Sequence, residues 1–130
     1  MSKFTEKAYR YRNDPAVHYN CAQSVLLAFD EDLGVDKGPM KAVSANFGAG
    51  MKRGSVCGAI TGGLMVLGLM GIEDDRIAQY HRKLMESHGG CLNCAELLAK
   101  NKELGGDKKA HCDEMVYECV RLCEELRARQ

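Results

Sequence analysis

The segment GSVCGAITGGLMVLGLMGI, Gly54 to Ile72, decides the fold of this 130-residue chain. It contains no charged residue, although 28% of the whole sequence is charged, and this indicates a buried central helix. Gly54, Gly58 and Gly62 recur every four residues, so on a helix they share one face that another backbone can approach closely. Glycine costs about 1 kcal/mol relative to alanine in a helix. The glycines therefore predict tight helix packing, or a small cofactor bound at Gly58 and Gly62.

The length of this segment approaches that of a membrane-spanning helix, which needs about 20 mainly apolar residues. Its glycines make it only mildly hydrophobic, and charged residues lie at both ends, Lys52 and Arg53 before it and Glu73 to Asp75 after it. We therefore predict a helix that is buried by neighbouring helices, with no insertion into a membrane.

Composition excludes several classes of protein. A chain of this length is typical of a single domain, here residues 1–130. The 18 basic residues balance the 18 acidic ones, so the charge gives no indication of nucleic-acid binding. Residues 1–13 carry several charges and no apolar stretch of the kind found in secretory signals. We expect a cytoplasmic protein.

Helical patterns run along the chain without an alternating strand pattern. Asn20 is the predicted cap of a helix from Cys21 to about Leu33, with Gln23 as its capping-box partner and Gly34 as its end. Further helical patterns cover residues 3–12, 39–47, 73–88, 94–101 and 108–127. The sequence thus predicts an all-α fold: a compact single-domain bundle of about five to six helices around the glycine-rich central helix.

Cysteine is unusually frequent, with seven residues: Cys21, Cys57, Cys91, Cys94, Cys112, Cys119 and Cys123. In a reducing compartment, such cysteines are more often catalytic, redox-sensing or metal-binding than structural disulfides. With Ser55 as the expected cap of the central helix, Cys57 falls in a predicted first turn, as do Cys21 and Cys94. Cys112 lies beside the start of the last helix. Because helix N-termini stabilise thiolates, we expect these four sulfurs to converge at one site.

Two kinds of chemistry suit such a site. Thiolates carry out thiol–disulfide exchange, and they also bind soft metals. Cys91 and Cys94 form a C-x-x-C pair, which is one half of many zinc or iron–sulfur sites, and Cys57 and Cys112 are candidates for the other ligands. A thioredoxin-like dithiol requires a βαβ context that this sequence lacks. The residues alone leave the redox and metal hypotheses open.

The last predicted helix also allows an inert role for some thiols. Cys119 and Cys123 lie about 20° on either side of Cys112 around the helix, so all three share one stripe. In the middle of a helix no dipole activates a thiol, and we interpret Cys119 and Cys123 as small core residues. His88 and His111 lie near cysteines and are candidate proton acceptors or metal ligands, although histidines at helix ends are more often simply exposed.

Four of these motifs together resemble the C_GCAxxG_C_C family of small bacterial and archaeal proteins, to which a redox activity is attributed. They are NCAQSVL around Cys21, CGAITG at Cys57, Cys94 before AELL, and Cys112 leading the last helix. The resemblance extends from about residue 20 to residue 126. It implies a helical domain whose functional cysteines are these four, with Cys91, Cys119 and Cys123 outside the family pattern.

Three functional hypotheses result from the sequence. The first is a cytoplasmic redox protein that exchanges electrons or disulfides with an unknown redox partner through Cys21, Cys57, Cys94 and Cys112. The second is a module in which the same four cysteines, with Cys91 as a further candidate, bind zinc or an iron–sulfur cluster. The third is a structural protein with passive core cysteines. The glycine face of the central helix is also compatible with a homo-oligomer.

Overall fold

The computed structural model describes residues 2–128, and in that part of the chain the fold is all-α, as predicted. Its helices are α1 (Lys3–Arg12), α2 (Cys21–Leu27), α3 (Asp30–Leu33), α4 (Lys37–Ser44), α5 (Gly58–Leu69), α6 (Arg76–Ser87), α7 (Cys94–Glu103) and α8 (Lys108–Ala128). A wide, irregular turn at Gly50–Gly54 precedes α5. The helices of this described region are more numerous than the sequence analysis predicted.

One cause of the higher number is a break in the predicted helix from Cys21 to Leu33. It ends at Leu27 and resumes as α3, because Phe29 leaves the helical conformation with φ −109° and ψ 9°. The Phe29 ring stacks on Phe4 of α1, with 4.5 Å between the ring centroids, and both side chains are buried. At this bend, packing against α1 is therefore favoured over one continuous helix from Cys21 to Leu33. The predicted end at Gly34 is confirmed, with φ 65° at this residue.

Helix α5 is the centre of the fold and packs against α2 on one side and α8 on the other. The glycine face predicted at Gly58 and Gly62 is closely covered, at Gly62 by α2 and at Gly58 by the segment that follows α4. A Cβ atom at Gly62 would lie 2.7 Å from the carbonyl oxygen of Ala22, and one at Gly58 would lie 2.6 Å from that of Phe47. These distances are too short for any side chain, so the prediction of tight packing on this face is confirmed.

The predicted start of the central helix is wrong. Ser55 is extended, with φ −78° and ψ −150°, and Cys57 is the N-cap of α5 rather than a residue of its first turn. The reason is that the segment before α5 bonds to the segment before α7, through an isolated antiparallel bridge between Val56 and Asn93. Gly54 therefore lies outside the helix and does not extend the face formed by Gly58 and Gly62.

A left-handed turn leads the chain from α4 to this extended segment. Ala49, Gly50, Met51 and Lys52 have φ values of 52°, 62°, 63° and 58°. Residues other than glycine pay about 1–2 kcal/mol each for this conformation. Gly50 is indispensable here, because a Cβ atom would lie 2.4 Å from the Ser55 carbonyl oxygen and 2.8 Å from the Cβ of Cys94. The turn is a strained element held in place by its surroundings.

The glycine-rich segment and its charged flanks predict a helix that does not insert into a membrane. Across residues 2–128, none of the helices combines the length and the apolar character needed to cross a bilayer. The glycine-rich helix α5 ends at Leu69, and its apolar surface is covered mainly by α2 and α8.

Candidate functional site

The position of Cys21 is fixed by the cap of α2. The Asn20 side chain accepts a hydrogen bond from the backbone N–H of Gln23 (2.8 Å), and the Gln23 side chain accepts one from the backbone N–H of Asn20 (3.0 Å). The predicted capping box is thus confirmed. The Asn20 amide also donates to the carbonyl oxygen of Ala45 (3.0 Å). The first residue of α2, Cys21, is thereby held beside the end of α4.

Cys57 and Cys94 are brought together by the main chain. The backbone N–H of Cys57 donates to the carbonyl oxygen of Leu92 (2.9 Å), and that of Cys94 donates to the carbonyl oxygen of Ser55 (2.7 Å). Cys57 caps α5 and Cys94 is the first residue of α7. The two helices therefore begin next to each other, with one cysteine at each start.

Cys112 lies in the second turn of α8, next to an ion pair that joins α8 to α1. The Arg12 Nε atom donates to Asp113 Oδ1 (2.7 Å), and Arg12 Nη1 donates to the carbonyl oxygen of Tyr19 (3.0 Å). The Arg12 side chain is only 8% exposed. A buried guanidinium must be paired in this way, since an isolated charge in the interior is very costly. The pair fixes the start of α8 against α1 and the segment that leads into α2.

The four cysteines Cys21, Cys57, Cys94 and Cys112 line one cavity of about 220 Å³. The residues that share this lining include four basic side chains: Arg12, His18, Lys108 and His111. The structure thus brings together sulfurs from α2, α7, α8 and the cap of α5. Within the described residues, the lining of this cavity includes none of the other three cysteines.

Cys112 is the thiol most easily ionised in this cavity. The side chain of Cys21 hydrogen-bonds to it and is the main cause that lowers the pKa of Cys112 to about 7; the positive charges of Arg12 and Lys108 act in the same direction, and burial opposes them. The same hydrogen bond, followed by burial, raises the pKa of Cys21. Within this pair, Cys112 is therefore the thiol that ionises first, and Cys21 keeps its proton.

Cys57 and Cys94 do not show the thiolate stabilisation expected at helix starts. Burial raises the pKa of Cys57 to about 11, although the backbone N–H groups of Ala59 and Ile60 point at its sulfur and act in the opposite direction. Burial, and then the charge of Cys112, also raise the pKa of Cys94. At these two positions the cost of desolvating a thiolate exceeds the benefit of the helix N-terminus. Both are protonated thiols at neutral pH.

Arg12, Lys108 and His18 also belong to this cavity and were not predicted as site residues. The buried Arg12 has no local sequence pattern that distinguishes it from an exposed arginine. Of the two histidines that the sequence singled out, His111 lines the cavity, and burial lowers its pKa. His88 instead pairs with Glu118, with 2.7 Å between Nε2 and Oε1.

Comparison with known families identifies one to which most of the chain is similar. A model of the family described as "Putative redox-active protein (C_GCAxxG_C_C)" matches residues 19–126. The chain belongs to this family. Cys21, Cys57, Cys94 and Cys112 all lie within the matched segment, whereas Arg12 precedes it. No curated protein and no solved structure matches the chain.

In this member of the C_GCAxxG_C_C family, the cysteines do not form a closed metal centre. Structural zinc takes four ligands in tetrahedral geometry, and iron–sulfur clusters are usually held by four cysteines. Among residues 2–128, no three side chains of histidine, cysteine, aspartate or glutamate are placed to hold a metal ion. Cys91, the further candidate ligand, is half-buried and lies outside the cavity lining. Among the described residues, the structure thus assembles no ligand set for the zinc or iron–sulfur site of the second hypothesis.

Of the remaining residues that the sequence singled out, one lines the cavity and the others are covered or buried. Gly58 lines the cavity, so a small molecule can contact its backbone. Gly62 is covered by Ala22, which leaves no room for a ligand there. Cys119 and Cys123 are fully buried, and Cys123 donates a weak hydrogen bond to the carbonyl oxygen of Gly63 (3.5 Å). Their interpretation as core residues fits this environment.

Proposed function

We propose that this member of the C_GCAxxG_C_C family is a thiol–disulfide redox protein in which Cys112 is the nucleophile and Cys21 forms the disulfide with it. The observation that carries the proposal is the placement of Cys21 and Cys112 on one cavity with the buried Arg12 side chain, where their interaction lowers the pKa of Cys112 to about 7. Thiol–disulfide exchange requires a thiolate with a second thiol next to it. The pair provides both.

The exchange balances in two steps. The Cys112 thiolate attacks one sulfur of a substrate disulfide, which gives a mixed disulfide on Cys112 and releases the first substrate thiolate. Cys21 then loses its proton and attacks the Cys112 sulfur, so the second substrate thiolate leaves and the Cys21–Cys112 disulfide remains. The two protein thiols are oxidised, and the substrate disulfide is reduced to two thiols.

Cys57 and Cys94 have a secondary role in this proposal. Their raised pKa values favour the thiol form at neutral pH, so neither is the first nucleophile. Both face the same cavity as the reactive pair. They can therefore receive the disulfide from Cys112 by further exchange, which keeps them within the functional set without requiring a thiolate in the resting protein.

Peptide mapping after oxidation tests the proposal. Protein purified without oxygen is treated with a small disulfide and digested without reductant, and we expect a Cys21–Cys112 disulfide as the first product. Cys112→Ser should abolish it. Cys91→Ser is the matched control, because it removes a thiol outside the cavity, and it should leave the product unchanged.

Two results would contradict the proposal. One is a first disulfide that does not include Cys112. The other is zinc or iron bound stoichiometrically to the purified protein and released when Cys112 is alkylated, which would favour the metal-binding hypothesis instead.

A further inference from the structure

We propose that the oxidised protein accepts electrons from small thiols that carry a negative charge, because formation of the Cys21–Cys112 disulfide leaves a positive cavity. This inference rests on the proposed function and names the class of its reductant. It comes from the distribution of charged side chains around the four sulfurs.

Within residues 2–128, two cations act on the reactive pair, and Arg12 forms an ion pair with a carboxylate whereas Lys108 does not. Arg12 is paired with Asp113 (2.7 Å). Lys108 lines the cavity, and its charge acts on Cys112 and Cys94. Among the described residues that line this cavity there is no aspartate or glutamate. The second oxygen of Asp113 accepts from Lys109 (2.7 Å), so this carboxylate is already shared between two cations.

In the reduced protein, the thiolate form of Cys112 offsets part of the positive charge that Arg12 and Lys108 bring to the cavity. When Cys112 enters a disulfide, this negative charge disappears and the cavity becomes more positive. A concave site lined by one sign of charge concentrates ligands of the opposite sign. The oxidised state thus attracts anions more strongly than the reduced state does.

The size and walls of the cavity restrict the anion further. A volume of about 220 Å³ equals about seven water molecules, which is room for a small organic acid. Leu97, Leu98 and Met115 supply an apolar wall that suits the carbon part of such a molecule. A thiol on a short carbon chain with one carboxylate matches both the positive charge and the apolar wall of the cavity.

The reduction balances with two molecules of such a thiol. The first thiolate attacks the Cys112 sulfur, the Cys21–Cys112 bond breaks, and Cys21 leaves and takes up a proton. The second thiolate attacks the sulfur of the bound small thiol, and Cys112 leaves as a thiolate. One protein disulfide is reduced, and two small thiols are oxidised to one small disulfide.

Reduction kinetics with thiols of different charge test this inference. The full chain is first oxidised, and the Cys21–Cys112 disulfide is verified by peptide mapping. Its reduction is then measured with 3-mercaptopropionate, 2-mercaptoethanol and cysteamine. Each rate is expressed per thiolate and divided by the rate of the same thiol with a neutral small disulfide. We expect the anionic thiol to exceed the cationic one by about tenfold at low ionic strength.

Two variants and a salt series show whether the cavity causes the preference. Lys108→Gln should remove most of it. Lys102→Gln, which makes the same charge change on the exposed part of α7, should keep it. Added salt should reduce it. Equal corrected rates for the three thiols, or a preference unchanged in Lys108→Gln, would overturn the inference while the verified disulfide still supports the proposed function. Absence of that disulfide at the mapping step would instead count against the proposed function itself.

Discussion

Cys21 and Cys112 interact across the interface between α2 and α8, and this interaction raises the pKa of Cys21 and lowers that of Cys112 to about 7. Neither helix could create this state alone. The start of α2 supplies the donor, α8 supplies the acceptor, and α1 contributes the buried guanidinium of Arg12 beside them. The lowered pKa of Cys112 is therefore a property of the assembled fold.

The first prediction concerns the pH dependence of Cys112. Because its pKa is lowered to about 7, its alkylation by iodoacetamide should rise with a midpoint near pH 7, below the value of about 8.5 typical of free cysteine. Cys21→Ala removes the main cause of the lowering and should move the midpoint upward. Mass spectrometry of each cysteine-containing peptide gives the rates. Cys91→Ala is the control, and an identical shift in that variant would refute the role of Cys21.

The second prediction concerns Asp113, where removal of the charge should shift the pKa of Cys112 in the opposite direction. Its carboxylate raises the pKa of Cys112 while it holds Arg12 in place. Asp113→Asn keeps an oxygen that accepts from Arg12 but removes the negative charge. The alkylation midpoint of Cys112 should therefore move to lower pH. A move to higher pH would mean that the position of Arg12 depends on the charge of Asp113 and not only on its hydrogen bond.

Two glycines of α5 test the packing of the central helix. Gly62→Ala places a methyl group 2.7 Å from the carbonyl oxygen of Ala22, and we expect a loss of about 1–3 kcal/mol in the free energy of unfolding by overpacking. Gly68→Ala meets nothing within 4 Å and should gain up to about 1 kcal/mol from helix propensity. Urea unfolding measures both. Equal effects of the two substitutions would contradict the close contact between α2 and α5.

The last prediction concerns the left-handed turn before α5. Met51 has φ 63° and is exposed, so Met51→Gly relieves a strained residue and should raise the free energy of unfolding by about 1 kcal/mol. Gly50→Ala should have the reverse effect, and it should also displace Cys94, whose Cβ would lie 2.8 Å from the added methyl group. Thermal unfolding and the alkylation rate of Cys94 measure the two effects. Destabilisation by Met51→Gly would show that the side chain contributes more than the strain costs.

Local signals in the sequence were sufficient for part of the fold. The Asn20–Gln23 capping box and the end at Gly34 were predicted correctly, because caps depend on residues within one turn of each other. The start of α5 was predicted wrongly, since the backbone bonds that extend Ser55 come from residues near Cys94. The left-handed conformation of Met51 and Lys52 has no sequence signal, because neither residue favours it.

The same distinction between local signals and long-range contacts applies to the candidate site. The four cysteines could be chosen from their positions at helix starts and from the family resemblance, and they line one cavity. Their ionisation could not be predicted, because it depends on burial and on which thiol contacts which. Arg12 reaches the cavity only through its long-range contacts with Tyr19 and Asp113. The four cysteines that line the cavity were thus readable in the sequence, but their electrostatics required the structure.

The two main-chain bonds that link Ser55 with Cys94 and Cys57 with Leu92 have a consequence for sequence variation. Peptide groups make these bonds, so the bonds themselves place no demand on particular side chains. Val56 and Leu92 also pack against the core, and the Asn93 side chain donates to Glu96 (2.9 Å). Substitutions that keep the extended backbone and this packing should leave the two sulfurs where they are. Relatives could thus exchange one apolar residue for another along this seam while retaining the same distance between the beginnings of α5 and α7.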